Sequence, residues 1–289
     1  MPKYSVIIPT YNDSARILRA CKSVIKQKLE DWELIIVDDG STDDTSKIVK
    51  PFLNDPRISY FKKLNAGVAA ARNTGFELSS GEYIVFLDSD DEVKPNLLSD
   101  YDNLIKSKQN IGVVSCGLIM GNKKKLPRSN PAISKYKYSN LSGSFCIRAE
   151  VFHNCGSYDE NLKQSENWEM MARAIEHCEK YNFEVVSVDT CNLLYHHQKA
   201  PAQTKIRDLF RAEATYYLAQ KYADSGVLYY NKDEFLVSAA VNYTRAGKLE
   251  KAEEIFHQIV RGKPNMSNLL RLIIFKIPYL RRKKWVRNN

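Results

Sequence analysis

Asp88 and Asp90 stand two residues apart at the end of the apolar run Tyr83-Ile84-Val85-Phe86-Leu87, with Ser89 between them and Asp91 directly after. A run this short and apolar predicts a strand buried on both faces. Its end then falls where a sheet stops and a ligand crevice opens. Side chains alternate along extended backbone, so residues i and i+2 share a side. Asp88 and Asp90 are therefore expected to reach one hard divalent cation together, as Mg2+ or Mn2+ is held beside phosphate oxygens. The same carboxylates also suit the approach to a helix opening at Pro95, because helix N-termini favour negative charge, and acidic turns are common.

The elements that must position this pair alternate over the first 118 residues. Strands are expected at Tyr4–Ile8, Trp32–Val37, Ile58–Phe61, Tyr83–Leu87 and Ile111–Leu118. Between them, Ile17, Leu18, Cys21, Val24 and Ile25 recur at helical spacing. Thr42 reads as the N-cap of a short helix carrying Ile48, Val49 and Phe52, and Val68–Leu78 reads as an Ala-rich helix. Such alternation implies a mostly parallel sheet covered by helices on both faces. Polar residues then cluster at the strand ends: Pro9-Thr10-Tyr11-Asn12, Asp38-Asp39-Gly40-Ser41, Asn65 with Gly67, and Asp88 with Asp90. Ligands bind at that edge of an open parallel sheet. Neither a P-loop nor a dinucleotide fingerprint is written into the first turn, so phosphate is expected to be handled through a metal at Asp88 and Asp90.

Composition narrows the class. A chain of 289 residues with 44% hydrophobic and 27% charged residues is ordinary for a globular protein. The six cysteines are scattered without zinc-like spacing, which suggests reduced thiols in a cytoplasmic protein. No signal-peptide pattern opens the sequence, and no apolar stretch approaches the roughly 20 residues of a membrane-spanning helix. A net charge of +9 suits an anionic partner, and without an RNA-binding or zinc-finger pattern no nucleic-acid partner is expected.

Residues 121–142 read as a loop-rich insertion of Lys, Pro, Asn and Ser. Order returns at Gly143–Phe152, followed by an amphipathic helix over Glu166–Tyr181 and strands at Glu184–Val188 and Thr190–Tyr195. Beyond Thr204 the pattern is helical. Ala240, Tyr243, Gly247, Ala252 and Phe256 resemble one tetratricopeptide-like hairpin, a weak signal in a single copy. The apolar run Leu269–Leu280 leads into Arg281-Arg282-Lys283-Lys284-Trp285. That end reads either as a solvated basic tail or as a peripheral contact with an anionic membrane surface, where Lys, Arg and Trp are favoured.

Four motifs in order resemble the family 2 glycosyltransferases: Val6-Ile7-Ile8-Pro9-Thr10-Tyr11-Asn12, Ile36-Val37-Asp38-Asp39-Gly40-Ser41-Thr42-Asp43, Asn65-x-Gly67 with Ala71-Arg72-Asn73-x-Gly75, and Phe86-Leu87-Asp88-Ser89-Asp90-Asp91. The resemblance spans residues 1 to about 200. It implies an α/β GT-A fold, a mostly parallel central sheet flanked by helices. Residues 1–120 would form the nucleotide-sugar-binding half and 121–200 the acceptor-binding half, with 201–289 a helical C-terminal extension ending in a basic tail. It also implies inverting transfer of a sugar from a nucleotide-diphosphate donor, usually a UDP-sugar, to a hydroxyl of a glycan, glycolipid or glycoprotein, with Mn2+ or Mg2+ as cofactor.

By that resemblance Pro9, Thr10, Tyr11, Asp39, Asn65, Gly67, Arg72, Asp88 and Ser89 bind the nucleotide sugar. Thr10 and Tyr11 would border the base and Asp39 would accept from its ring nitrogen. Asp90 would be the direct metal ligand, with Asp88 near ribose and metal. His196 and His197 lie where many members carry a histidine close to the diphosphate. His197 is therefore a third metal candidate, set against the reading of both as an ordinary histidine pair. Lys199-Ala200-Pro201-Ala202 would be a lid.

One departure matters. The family's acceptor-side helix opens Glu-Asp, the Asp serving as general base. This chain reads Glu166-Asn167-Trp168-Glu169. An amide takes no proton at neutral pH, so the catalytic candidates are Glu166, then Glu169, with Asn167 in the vacated position. Glu166 and Glu169 share nearly one helical face, and both also suit simple stabilisation of a helix N-terminus. The alternative function is a catalytically inactive sugar-nucleotide-binding scaffold that partners an active transferase.

Overall fold

The computed structural model describes residues 2–130, 134–196, 204–223 and 232–285. The chain divides into two compact units, one of residues 1–162 with 166–197, the other of residues 163–165 with 198–289. The first unit begins β1 (Tyr4–Thr10), α1 (Ile17–Ile25), β2 (Trp32–Asp38), α2 (Thr45–Val49), β3 (Ile58–Lys62), α3 (Val68–Glu77) and β4 (Tyr83–Phe86). These strands pair in parallel in the order β3-β2-β1-β4. β1 and β4 are buried along their whole length, which explains their near-continuous apolar sequence.

Alternate residues of β1 feed opposite cores. Tyr4, Val6 and Ile8 pack with Ile17, Ala20, Cys21 and Val24 of α1, while Ile7 packs with Ala69 and Ala71 of α3. The second contact is very close. A Cβ on Gly75 would lie 2.3 Å from Ile7 Cγ2, so only glycine lets α3 settle there. That approach carries Arg72, one turn earlier, towards the end of β4.

The unit continues through β5 (Glu92–Val93), α4 (Leu97–Ser107), β6 (Ile111–Met120), β7 (Lys123–Lys125), β8 (Arg128–Asn130), β9 (Ser134–Tyr138), β10 (Phe145–Arg148), α5 (Ala149–Asn154), α6 (Glu166–Lys180) and β11 (Glu184–Leu194). Here the sheet turns mixed. β10 lies antiparallel between β4 and β6, so the expected fifth parallel strand does not adjoin the fourth. β11 runs parallel to β6, and β5 closes that edge antiparallel to β11.

Several expectations are corrected. Residues 121–142 contain strands: β7 pairs with β6 through exposed lysines, and β8 pairs with β9. Edge strands bond through backbone, so their polar side chains hid them. Glu184–Leu194 is one strand with register shifts rather than two. Helix α2 starts at Thr45, and Asp43, not Thr42, accepts from the Thr45 amide at 3.0 Å. All six cysteines are free thiols, five of them buried.

The second unit contains α7 (Thr204–Lys221), α8 (Lys232–Ala246), α9 (Leu249–Gly262), α10 (Met266–Lys276) and α11 (Pro278–Trp285) among its described residues. Gly247, at φ +82°, turns α8 into α9, and Ala240, Tyr243, Ala252 and Phe256 form their buried seam. Trp285 is buried too, stacked on Phe256 with ring centroids 5.1 Å apart. Its expected place at a membrane surface is therefore corrected: it is a core residue of the helical unit. Among the described residues no helix is long and apolar enough to cross a membrane.

Candidate functional site

The parallel register sets Thr10 opposite Asp38 and Ile7 opposite Phe86, so the loops after β1, β2 and β4 emerge together. Thr10 is buried, and its Oγ1 has no hydrogen-bond partner. A buried hydroxyl left unpaired costs about 1–3 kcal/mol. Tyr11 beside it is half exposed and offers a flat apolar wall. Pro9 is buried one residue before the end of β1, and Asn12 accepts from the Thr42 amide at 2.8 Å, joining the first two loops.

Asp39 is nearly fully buried. Its carboxylate accepts the amides of Ala66 at 3.0 Å and Gly67 at 2.7 Å and pairs with Lys63 at 3.3 Å. Asn65 returns the contact, donating to the Asp39 carbonyl at 2.9 Å. Asp39 therefore fastens the Asn65–Gly67 loop, a structural task that reading the motifs as base contacts did not anticipate.

Beyond β4 the chain turns sharply, the Asp91 amide donating to the Asp88 carbonyl at 3.1 Å. Asp88 and Asp90 thus meet across a turn, not along extended backbone, which corrects the alternation argument. Burial raises the Asp90 pKa above the usual carboxylate range, and Asp88 adds to the rise while Arg16 opposes it. Burial likewise pushes Asp91 up to about 7, although its carboxylate accepts the His196 amide at 2.8 Å. Arg16 approaches the Asp90 carboxylate at 3.6 Å, and Arg19 donates to the Asp90 carbonyl. Ser89 Oγ donates to Asp13, which is itself paired with Arg16.

These carboxylates fit a hard divalent cation. Asp88 and Asp90 supply oxygen donors, each about one-third exposed, and their crowding leaves negative charge only partly compensated. No group of three His, Cys, Asp or Glu side chains able to hold a metal occurs among the described residues. A cation there would complete its shell with water and phosphate, as Mg2+ commonly does. The third candidate, His197, and the proposed lid lie outside the described residues. His196 is described: its Nε2 lies 2.8 Å from Glu92 Oε1.

Arg72 links this turn to the start of α6. Buried to 2% exposure, it donates to Asp88 at 2.7 Å, Glu166 at 2.9 Å and Ser142 Oγ at 3.0 Å. Burial opposes its charge, but Asp88, Tyr158 and Glu166 more than offset this and raise its pKa. Asn167 occupies the next position in the same network. Its Oδ1 accepts the Tyr158 hydroxyl at 2.7 Å, and its Nδ2 donates to Ser142 Oγ at 3.2 Å. The amide is thus used at both ends.

Glu169 is not part of this cluster. It has no exposed surface, and Arg173 grips it through two nitrogens, Nε at 2.9 Å and Nη2 at 2.6 Å. As second choice of base it is corrected: its carboxylate is taken up by Arg173, one turn on in α6, which in turn donates to the Cys155 and Ser157 carbonyls. Asp13, Arg16, Arg19, Ser142 and Tyr158 are site residues that motif reading missed. Only Asp13 had a local signal, following the Pro9–Asn12 motif directly.

The geometry has solved counterparts. The chain superposes on residues 1–349 of S. aureus TarS, crystallised with UDP-GlcNAc, with TM-score 0.67 at 19% identity, over 90% of this chain and 81% of that one. A mannosyltransferase from Pyrobaculum calidifontis, in complex with GDP-Man and Mn2+, gives TM-score 0.59 at 16% identity, over 98% and 83%. These likenesses define the class: the α/β GT-A transferase fold, followed by a helical region. Residues 5–159 match the glycosyl transferase family 2 model, and the chain belongs to that family. Escherichia coli WcaA, a putative colanic acid biosynthesis glycosyl transferase, is 33% identical over 199 residues, 63% of this chain and 70% of that protein. The chain spans only 13–15% of the length of three uncharacterised Rickettsia glycosyltransferases that it matches at 51–52% identity over 89 residues.

Proposed function

We propose that this chain is an inverting glycosyltransferase that moves a sugar from a UDP-sugar to a hydroxyl of a glycan, glycolipid or glycoprotein. The observation that carries the reading is the buried Arg72 bridge, which places the strand-end carboxylate Asp88 and the acceptor-side carboxylate Glu166 on one guanidinium. Family membership, the glycosyltransferase names of relatives and the UDP-GlcNAc held by TarS support it.

In this reading Tyr11 provides the wall for the base and Thr10 Oγ1 gains the partner it lacks. Asp39 keeps the Asn65–Gly67 loop at the nucleotide. A divalent cation held by Asp90 and Asp88 would neutralise the charge gathering on the departing diphosphate, a role supported by the Mn2+ of the mannosyltransferase. The acceptor oxygen attacks the anomeric carbon from the face opposite the diphosphate. As that bond forms, the bond from the anomeric carbon to the phosphate oxygen breaks and its electron pair leaves with the diphosphate, inverting the configuration. The acceptor proton passes to the carboxylate of Glu166, whose Oε1 is held by Arg72. Asn167, fixed by Tyr158 and Ser142, orients the acceptor.

The test is turnover of a panel of UDP-, GDP- and ADP-sugars, with and without Mn2+, read as nucleoside diphosphate released. UDP-sugars should react fastest and only with the metal. The Asn167 substitution favours a second reading, an inactive nucleotide-sugar-binding scaffold. Tight UDP binding with no release from any donor, across a range of acceptors, would select it.

A further inference from the structure

Helix α10 is apolar on two sides. Asn268, Leu272 and Phe275 lie towards the helical core, where Phe275 meets Phe256 with ring centroids 5.1 Å apart. On the other side Met266, Leu270, Ile273 and Ile277 recur at three- and four-residue spacing, 80%, 54%, 45% and 42% exposed, with Leu269 beside them at 43%. Tyr279, at 69%, extends the stripe into α11. A helix that covers one core carries polar residues opposite, so this second stripe is unexplained by folding.

The charge around it is one-sided. Residues 255–289 contain nine Lys or Arg and no Asp or Glu. The whole chain has 43 basic and 34 acidic residues, so the part before residue 255 is balanced at 34 of each and this segment carries the entire +9. Lys276 is paired with Glu253, and Arg281 packs over Phe275, but Arg282, Lys283 and Lys284 are exposed. Lys283 and Lys284 also border a cavity of about 330 Å³ lined, among the described residues, by Ile274 and Leu280 as well. An apolar hollow with ammonium groups at its border matches an acyl chain beneath a phosphate.

We propose that this face docks on an anionic phospholipid leaflet, with Met266, Leu269, Leu270, Ile273 and Ile277 entering the acyl boundary and the lysines and arginines meeting the lipid phosphates. The two features together are those of a helix lying in the interface plane. Trp285 takes no part, being used in the core.

The test is co-sedimentation of the full chain with phosphatidylcholine vesicles and with vesicles containing about 30% phosphatidylglycerol, at low and high salt. Partitioning should be at least ten-fold stronger on the anionic vesicles and should fall with salt. Leu270→Ser with Ile273→Ser should weaken it at least ten-fold without lowering the thermal midpoint, since both side chains are exposed. Arg282→Gln, Lys283→Gln and Lys284→Gln together should weaken it about a hundred-fold, near five-fold per charge, and this variant decides the matter if the first does not fold. Equal binding to both vesicle types, or unchanged binding by both variants, would overturn the proposal. So would a solution dimer that Leu270→Ser with Ile273→Ser dissociates, which would make the face a protein interface.

Discussion

Replacing Arg72 with Met keeps the bulk of the side chain but leaves Asp88 and Glu166 facing each other without their shared cation. Removing one partner from a buried ion pair costs about 3–5 kcal/mol. Asp88 is 35% exposed and Glu166 only 13%, so water relieves the first carboxylate more than the second. The low end, about 3 kcal/mol, is therefore expected. For a unit of this size the thermal midpoint should drop by about 6–12 °C, measured by circular dichroism on the full chain. Adding Glu166→Gln to Arg72→Met should recover much of the loss, because the cost lies in the stranded charge. Arg72→Lys should recover little, since its one nitrogen cannot reproduce the two spaced nitrogens that reach Glu166 on one side and Asp88 with Ser142 on the other. A drop under about 3 °C for Arg72→Met, or no recovery in the double variant, would refute the view that this guanidinium holds the two halves of the site together.

Glu166→Gln should lower turnover about 10²–10⁴-fold with UDP affinity nearly unchanged; normal turnover would place the base elsewhere. Asn167→Asp should lower activity by putting a charge among Tyr158, Ser142 and the Arg72 network, whereas a rise would identify a degenerate enzyme whose base has been restored. Thr10→Val should leave the unliganded chain as stable or slightly more stable, because an unpaired buried hydroxyl is removed, while UDP titration shows about five- to ten-fold weaker binding. Trp285→Ala should cost the helical unit about 3–5 kcal/mol in a urea titration; a negligible change would contradict its packing on Phe256.

The parallel half of the sheet was legible because β1, β2 and β4 are buried on both faces and so read as continuous apolar runs. β10 was not, because Phe145-Cys146-Ile147 carries no mark of strand direction, and β5 is too short to show a pattern. The lysine strand β7 escaped because its pairing is made by backbone alone. At the site, Asp88 and Asp90 were recognisable from the apolar run ahead of them. The turn that brings them together was not, since it depends on Asp13 and Arg16 in the loop before α1 and on Arg19 within it. Glu166 and Glu169 looked alike at three-residue spacing. Only tertiary packing shows that one meets Arg72 and the other is enclosed by Arg173. Trp285 beside four cations fitted either a solvated tail or a membrane contact for the same reason: its neighbours along the chain are legible in sequence, and Phe256 across the helices is not.

In the proposed function the acidic turn after β4 serves the diphosphate of a nucleotide sugar. Calorimetric titration of UDP into the full chain, with Mn2+ and then with a chelator, and into Asp90→Ala with Mn2+, tests this most directly. Binding should be clear with Mn2+ in the wild-type chain and be lost or severely weakened in both other titrations. UDP bound equally well after chelation, or by Asp90→Ala, would contradict the account.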